Sequence, residues 1–352
     1  MSRTPPEIDM TTATRTAPVP GDLRREVDRR ILTPVTVVLA VVASIAALVR
    51  LAGGAIPVPL QLIPFAASIL VFGLPHGAMD HLVPARIDSR LGTPRSVATV
   101  VVIYIVVGGA TFLLWTAAPV AGFIGFIALT WFHWGQGDLY IEHLLGAGPS
   151  SPGDAILTVL VRGAIPMLLP LVFFPQDYSA VFAQTVHAVA PEVTVDPHVL
   201  VDDRTRVLAA VLVAVLAGLH LVAQRIRGGS VVRPLLETAV LVALFATTPP
   251  ILAVGLYFTL WHAVRHILRL ELTDPAACAG LARGELARPY LRFLASAWPL
   301  TLAAVALLVI LAATLRSADL GVYLVFIAAL TTPHAVIVTW MDRRQRIWSP
   351  PG

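Results

Sequence analysis

The feature that most constrains this chain is a succession of apolar runs, each long enough to cross a membrane. A helix needs about 20 apolar residues to span the hydrocarbon core of a bilayer. The sequence contains about ten such runs, at about 33–53, 56–75, 97–117, 120–140, 154–174, 206–224, 234–249, 250–270, 295–315 and 320–340. The predicted fold is therefore all-α, a polytopic integral membrane bundle of about ten transmembrane helices. Only Pro249 and Pro250 separate the seventh run from the eighth.

The composition supports this prediction. Hydrophobic residues make up 57% of the chain and charged residues 13%, with a mean hydropathy of +0.80. A soluble domain usually has about 45–50% apolar and about 25% charged residues. So few charges exclude a soluble enzyme and a disordered chain. The single cysteine, Cys278, excludes a disulfide framework, a cysteine-ligated zinc site and an iron–sulfur cluster.

The basic residues are all arginines, and they lie in short clusters between the apolar runs. No continuous basic face is present, so the sequence predicts no nucleic-acid partner. The positive-inside rule places the clustered arginines in the cytoplasm. The longest outer connection, about 176–205, is acidic. The predicted location is the cell (inner, cytoplasmic) membrane, with both termini cytoplasmic.

Three regions follow from this pattern. Residues 1–23 are rich in Thr, Pro and Ala and predict a disordered cytoplasmic tail; they lack the apolar core of a signal peptide. Residues 24–342 form the predicted transmembrane domain, which would carry the active site. Residues 343–352 form the predicted cytoplasmic C-terminal tail.

Ionisable groups inside a membrane are costly and are candidates for function. Four apolar runs carry histidine motifs, at 73–81 (His76 and His81), 131–138 (His133), 261–266 (His262 and His266) and 331–334 (His334). All four runs are even-numbered, so in the predicted topology these motifs share the inner half of the bilayer. This common depth predicts one shared polar cluster.

Spacing separates the roles of these histidines. His262 and His266 are four residues apart and project from one helical face, as a chelating pair would. His76 and His81 lie about 140° apart around an ideal helix, so one helix would not present both to a single ion unless the backbone bends.

Other polar residues near the motifs are candidates for supporting roles. Asp80 and Asp138 could accept the second ring N–H of a ligating histidine, and Arg265 is expected to pair with one of them. The remaining histidines, His143, His187, His198 and His220, are expected in loop, interfacial or structural roles. Arg50 and Arg162 are expected to extend to an interface.

Aromatic residues flank two of the motifs and are candidates either to line a substrate cavity or to form an interfacial belt. These are Trp131, Phe132, Trp134, Tyr257, Phe258 and Trp261.

Several neutral imidazoles without a thiol suit Zn, Cu, Ni or Fe(II). The H-E-x-x-H motif of many zinc hydrolases is absent from the sequence. Iron with open positions binds dioxygen and performs oxidative chemistry. A site inside an apolar bundle suits an apolar substrate that arrives from the lipid.

The segments PHGAMDH (75–81), WFHWGQGD (131–138), YFTLWHAVRH (257–266) and TPH (332–334) resemble those of the Brp/Blh family. These are bacterial and archaeal β-carotene 15,15′-dioxygenases that supply retinal to microbial rhodopsins. The resemblance covers roughly Val71 to Asp342.

This resemblance implies an integral-membrane oxidoreductase that uses Fe(II) and O₂ to cleave the central double bond of β-carotene, or of a related carotenoid, into two retinal molecules. It implies iron held by four histidines, which fall on His76, His133, His262 and His266. His81, His334, Asp80, Asp138, Arg265 and the six aromatic residues would then support these ligands or contact substrate. A retinal-binding rhodopsin would be a downstream partner.

Two other interpretations stay open. A different membrane metalloenzyme acting on lipids, such as a desaturase, would need more HxxxH and HxxHH clusters than the one formed by His262 and His266. A proton-coupled transporter or retinal-binding protein would use the histidines as a proton relay. The chain shows no convincing internal repeat, and it has no lysine for a retinal Schiff base.

Overall fold

The computed structural model describes residues 19–88, 91–196, 201–316 and 319–350. Within these ranges the chain forms twelve helices and no strand. The helices are α1 (Gly21–Leu51), α2 (Val58–Ile87), α3 (Thr93–Ala117), α4 (Pro119–Leu144), α5 (Pro152–Phe173), α6 (Pro175–Val189), α7 (Asp203–Ile226), α8 (Val232–Thr247), α9 (Pro250–Glu271), α10 (Pro275–Ala282), α11 (Ala287–Leu315) and α12 (Leu320–Gln345).

Eight of these helices are long and apolar enough to cross a membrane: α1, α2, α3, α5, α7, α9, α11 and α12. The two remaining predicted runs coincide with α4, which has 26 residues, and α8, which has 16. The predicted all-α polytopic bundle is confirmed.

Proline and small polar residues define where many helices begin. Proline is the first residue of α4, α5, α6, α9 and α10, a position where its missing N–H costs no hydrogen bond. The side chains of Ser151, Asp202 and Asp319 accept hydrogen bonds from backbone N–H groups in the first turns of α5, α7 and α12. The Pro249–Pro250 pair therefore divides α8 from α9, as the sequence suggested.

The bundle has a buried centre and an apolar outer surface. Most of the apolar stretch is buried in α5, α9 and α12, whereas α3 and α11 are mostly exposed. Helix α5 packs against α4, α7 and α8, while α2 packs against α9 and α11. Helix α12 packs against α3 and α6. The centre of the bundle is therefore where α2, α4, α9 and α12 come together, and these four helices carry the histidine motifs.

Glycines bring α4 and α5 into close contact. A Cβ atom on Gly163 would overlap the carbonyl oxygen of Trp131, and one on Gly135 would overlap the carbonyl oxygen of Val159. Small residues allow membrane helices to approach at backbone distance. The glycines in and opposite the 131–138 motif thus fix the position of α4.

Four helices contain a π turn, in which the backbone hydrogen bonds skip one more residue than in an α-helix. The turns are Asp28–Leu32 in α1, Ser68–Phe72 in α2, Tyr104–Gly108 in α3 and Tyr257–Ala263 in α9. Single π turns are frequent at functional sites. The turns in α2 and α9 lie directly before or across histidine motifs.

The structure adds a helix to one predicted connection and extends α12 into the region predicted as the C-terminal tail. The connection at 176–205, predicted as a loop, contains helix α6, which packs against α12. At the C-terminus α12 continues to Gln345, and the ring of Trp348 stacks on Phe132 with centroids 6.0 Å apart. Residues 1–18 of the predicted N-terminal tail lie outside the described residues, and α1 begins at Gly21. His198 also lies outside the described residues.

Candidate metal centre and adjoining cavities

Five buried histidines meet at the centre of the bundle. They are His76 from α2, His133 from α4, His262 and His266 from α9, and His334 from α12. Their ring centroids lie 4.8–6.4 Å apart in the pairs that contact one another. The structure thus brings the four residues singled out as ligands together with a fifth imidazole.

The ring nitrogens are arranged as ligands of a cation would be. One nitrogen from each of His76, His133 and His262 lies within 4.8 Å of the others, and a second group joins Asp80, His266 and His334. In the described part of the chain, several buried ring nitrogens have no hydrogen-bond partner: His133 Nδ1, both nitrogens of His262, His266 Nε2 and His334 Nε2. Buried polar atoms without partners are costly, and a bound cation would satisfy them.

Asp80 supports His334. Its Oδ2 atom lies 2.7 Å from His334 Nδ1 and accepts a hydrogen bond of 2.8 Å from the Tyr104 hydroxyl. A carboxylate on the second ring nitrogen fixes the tautomer and the orientation of a metal-binding histidine. The sequence suggested this role for Asp80 and left the role of His334 open.

Helix α2 directs His76 and His81 to different places. His76 lies in the cluster, with its Nδ1 atom 3.3 Å from the carbonyl oxygen of Phe72. A 3₁₀ turn at Asp80–Leu82 then interrupts the α-helix, and His81 Nδ1 lies 2.7 Å from the carbonyl oxygen of Ala78. The two rings do not converge on one point, as their spacing predicted.

Asp138 has a different set of partners from the one suggested. Its carboxylate accepts hydrogen bonds from Trp261 Nε1 at 3.0 Å and from the Tyr257 hydroxyl at 3.4 Å, and it pairs with Arg265 at 3.4 Å. The guanidinium carbon of Arg265 also lies 3.4 Å from the Trp261 ring centroid. The expected Arg265–Asp138 pair is present, and it holds a face of α9 next to the one that carries the histidines.

Arg162 does not extend to an interface, contrary to the sequence prediction. It is buried in α5 and pairs with Glu142 of α4 at 3.4 Å and Glu237 of α8 at 3.1 Å. His220 of α7 lies 3.3 Å from Glu142. Glu237 lies inside the apolar run 234–249 and Glu142 just after the run 120–140, and these positions were the available signal for a buried ion pair. Arg50 is exposed and donates to the carbonyl oxygen of Ala246.

An apolar cavity of about 260 Å³, called cavity A here, adjoins the histidine cluster. His76, His133, His262 and His334 form one wall. At its other end lie Val101, Ile105 and Leu300, whose side chains are 45%, 68% and 43% exposed. Cavity A therefore reaches the apolar outer surface of the bundle between α3 and α11.

A second cavity of about 130 Å³, called cavity B here, adjoins the first. Four residues line both cavities, namely Trp134, Phe258, Ile327 and Thr331. The Trp134 and Phe258 rings are nearly parallel, with centroids 6.2 Å apart, and Phe258 lies nearly parallel to the His262 ring. Gly73 permits this packing, because a Cβ there would lie only 2.7 Å from Phe258.

The other four aromatic residues singled out from the sequence lie outside both cavities. Trp131 donates to the carbonyl oxygen of Leu160 on α5, and Phe132 packs on Trp348. Tyr257 and Trp261 bond to Asp138. They therefore support the helices that carry the histidines.

Comparisons with known proteins agree with the motifs. A family described as β-carotene 15,15′-dioxygenase matches residues 67–342. The probable β-carotene 15,15′-dioxygenase Blh of Halobacterium salinarum is 38% identical over 338 residues, which cover 91% of this chain and 95% of that protein. The probable β-carotene 15,15′-dioxygenase Brp of the same organism is 29% identical over 323 residues, covering 85% of this chain and 89% of that protein. No solved structure matches the chain significantly.

Proposed function

The chain belongs to the β-carotene 15,15′-dioxygenase family, and on that premise we propose that it is a membrane-embedded, Fe(II)-dependent enzyme that cleaves the central double bond of β-carotene with O₂. The products are two molecules of retinal. The observation that carries the proposal is the group of five buried histidines, four of which have unpartnered ring nitrogens and four of which line an apolar cavity.

The proposed reaction balances without a further reactant. The central carbon–carbon double bond and the oxygen–oxygen bond break, and two carbon–oxygen double bonds form. Each new aldehyde carbon takes one oxygen atom, so the carbons are oxidised and dioxygen is reduced. No proton and no external reductant enter the overall reaction.

His76, His133, His262 and His266 are the residues that we propose hold the iron. The family resemblance implies this set. The close approach of nitrogens from His76, His133 and His262, the ring of His266 5.2–6.4 Å from these three, and the unpartnered nitrogens of His133, His262 and His266 support it. Fe(II), when bound, supplies the redox chemistry with dioxygen. His334 lies as close to the cluster as the other four and offers a fifth imidazole nitrogen.

The side chains around the histidines position the substrate and exclude water. A polyene has almost no hydrogen-bonding group, so the protein can orient it only by shape and apolar contact. The Phe258 ring is nearly parallel to the rings of Trp134 and His262, and the three rings present flat surfaces along which a conjugated chain can lie. The apolar walls of cavity A keep the reacting bond out of water.

The proposed location of the protein follows from the distribution of its arginines. We place the protein in the inner (cytoplasmic) membrane with both termini in the cytoplasm, because its arginines follow the positive-inside rule. The lipid bilayer delivers the carotenoid to cavity A through the gap between α3 and α11. Retinal then passes to a retinal-binding rhodopsin as the downstream partner.

Product analysis tests the proposal. The purified protein, loaded with Fe(II), is incubated with β-carotene and O₂, and the products are separated by chromatography. Retinal should be the product, and His262→Ala should abolish its formation. His187→Ala is the matched control, because His187 is exposed on α6. An iron-loaded wild-type protein that leaves β-carotene intact would refute the function, and a fully active His262→Ala variant would refute the ligand assignment.

Metal analysis separates this function from that of a lipid desaturase. We expect one iron per chain, whereas about two would favour a dinuclear desaturase or hydroxylase.

A further inference from the structure

We propose that cavity B receives one half of the carotenoid, and that the depth of cavity B selects which double bond is cleaved. The inference rests on the proposed function, since it concerns where the carotenoid lies. Central cleavage requires space for an equal length of substrate on each side of the reacting atoms. Cavity A supplies that space on the side of the histidines that faces the lipid, and cavity B supplies it on the other.

The junction between the cavities lies beside the histidines. Trp134 is adjacent in sequence to His133, and Phe258 lies one helical turn before His262. Their rings contact His262 directly, with centroids 5.8 and 6.1 Å from its ring. A chain that passes from cavity A into cavity B must therefore pass along the cluster.

Cavity B extends far from the cluster along the helices. Val254 precedes His262 by two turns of α9, and Phe123 precedes His133 by almost three turns of α4. At a rise of 1.5 Å per residue, these positions lie roughly 12 and 15 Å from the histidines along the helix axes. The cavity is thus a long, narrow slot, suited to an extended chain.

The lining of cavity B matches an apolar, conjugated ligand. Five aromatic residues contribute to its walls beyond the junction: Phe65, Phe123, Phe126, Tyr178 and Tyr323. Among the residues that line it, none is charged and none is exposed. Tyr178 and Val181 of α6 close one side, which gives a role to the helix that the sequence analysis missed.

The residues that line the two cavities differ in exposure. Cavity A includes the exposed side chains of Val101, Ile105 and Leu300, whereas every residue that lines cavity B is buried or half-buried. One end of the carotenoid enters from the lipid through cavity A, passes Trp134 and Phe258, and stops at the far wall of cavity B. The bond that then lies at the histidines is set by the distance from that wall.

Shortening cavity B tests this inference. Val254→Phe and Val181→Phe each add bulk from a different wall. In either iron-loaded variant the substrate should stop short, so that a bond nearer its leading end meets the iron. Unequal aldehydes, one shorter and one longer than retinal, should then replace retinal, whose share of the products should fall at least about tenfold, or about 1.4 kcal/mol in relative barrier.

The matched control is Val215→Phe, because Val215 is 51% exposed on α7, which lines neither cavity. It should still give retinal alone. Iron content and elution volume establish that each variant is folded. Complete loss of cleavage in either cavity variant, with iron retained and the control active, would show that cavity B is needed for substrate to bind and would overturn its role in selecting the bond.

A second pair of variants tests the route. Ala304 lines cavity A on α11, and its neighbour Ala303 is exposed and lines neither cavity. Ala304→Phe should slow cleavage of β-carotene supplied in lipid vesicles while the products remain equal halves, and Ala303→Phe should behave as wild type.

The outcomes distinguish the two proposals. Val254→Phe and Val181→Phe variants that hold iron and still yield only retinal at the wild-type rate would overturn the role of cavity B and leave the dioxygenase function intact. A wild-type protein that binds iron but cleaves no carotenoid would overturn both.

Discussion

The Nδ1 atom of His334 lies 2.7 Å from Oδ2 of Asp80, which joins α12 to α2 across the centre of the bundle. Tyr104 of α3 donates to the same oxygen, so three helices meet at one carboxylate. Asp80 thereby orients a histidine that lies outside the family-implied set of four. The other ring nitrogen of His334 is buried among the cluster without a partner in the described structure.

Asp80→Asn tests whether the contact between Asp80 and His334 raises the affinity of the cluster for a metal ion. An amide cannot hold the His334 N–H as a carboxylate does, and loss of such a partner typically lowers metal affinity by about 10–100-fold. Anaerobic titration with Fe(II), or with Co(II) followed by absorbance, measures the change. Asp177→Asn is the control, because Asp177 is exposed on α6. Equal affinities in both variants would show that Asp80 does not act on the metal.

The two histidines outside the family-implied set should respond differently to substitution. His334→Gln removes an imidazole from the cluster and should lower the bound iron or the affinity for it. His81→Gln should leave the metal content unchanged, because His81 bonds to the carbonyl oxygen of Ala78 and stands apart. Metal analysis of the purified variants measures the bound iron. Loss of iron in His81→Gln but not in His334→Gln would exchange the roles assigned to the two histidines.

Gly163→Ala should destabilise the bundle, since a Cβ there overlaps the backbone of Trp131 and would force α4 away from α5. Overpacking of this kind costs roughly 1–3 kcal/mol. The thermal midpoint in detergent provides the measurement. Gly125→Ala is the matched control on α4, because a Cβ on Gly125 meets no atom within 4 Å. Equal midpoints for the two variants would contradict the close contact.

Arg162→Met should also lower stability, by roughly 3–5 kcal/mol, because it leaves the buried carboxylate of Glu142 without its arginine partner, whereas Glu237 keeps Arg233 at 3.0 Å. Adding Glu142→Gln to that variant should recover part of the loss. Arg204→Met, at an exposed position, should have no measurable effect. If Arg162→Met lowered stability no more than Arg204→Met does, the ion pairs of Arg162 would contribute nothing to stability.

Removal of the metal should lower the thermal midpoint, because a ligand that binds only the folded state stabilises it. At a free metal concentration of 100 times Kd this contribution is about 2.7 kcal/mol. A chelator should lower the midpoint, and added Fe(II) should restore it. In the His262→Ala variant the midpoint should change little on addition of chelator or of Fe(II). A wild-type midpoint that stays unchanged with chelator would contradict a metal at the cluster.

The helices could be predicted from the sequence because their determinants are local. A run of about 20 apolar residues predicts a membrane-spanning helix, and prolines mark where many of the helices begin. The common depth of four histidine motifs was likewise visible in the order of the runs. Helix α6 was missed because it has 15 residues and lies in an acidic stretch, so it meets neither criterion.

The pairings between helices could not be predicted, since they depend on which faces meet. Periodicity indicates that Asp138 is buried. It does not show that the partners of the Asp138 carboxylate are Trp261 and Arg265 rather than a histidine. Arg162 was misplaced for the same reason, because Glu142 and Glu237 lie on two other helices. Asp80 was correctly identified as a support, but its partner, His334, comes from the far end of the chain.

The π turn at Tyr257–Ala263 holds one residue more than an ordinary helix would need over the same path. Removing one residue there would let the backbone close into an ordinary helix with all its hydrogen bonds made. Because the π turn absorbs that extra residue, His266 and Arg269 beyond it would keep nearly their present directions, whereas the side chains within the turn, which include His262, would be repositioned. A relative shorter by a single residue in this stretch would keep its overall shape and differ at the wall of the cluster that His262 forms.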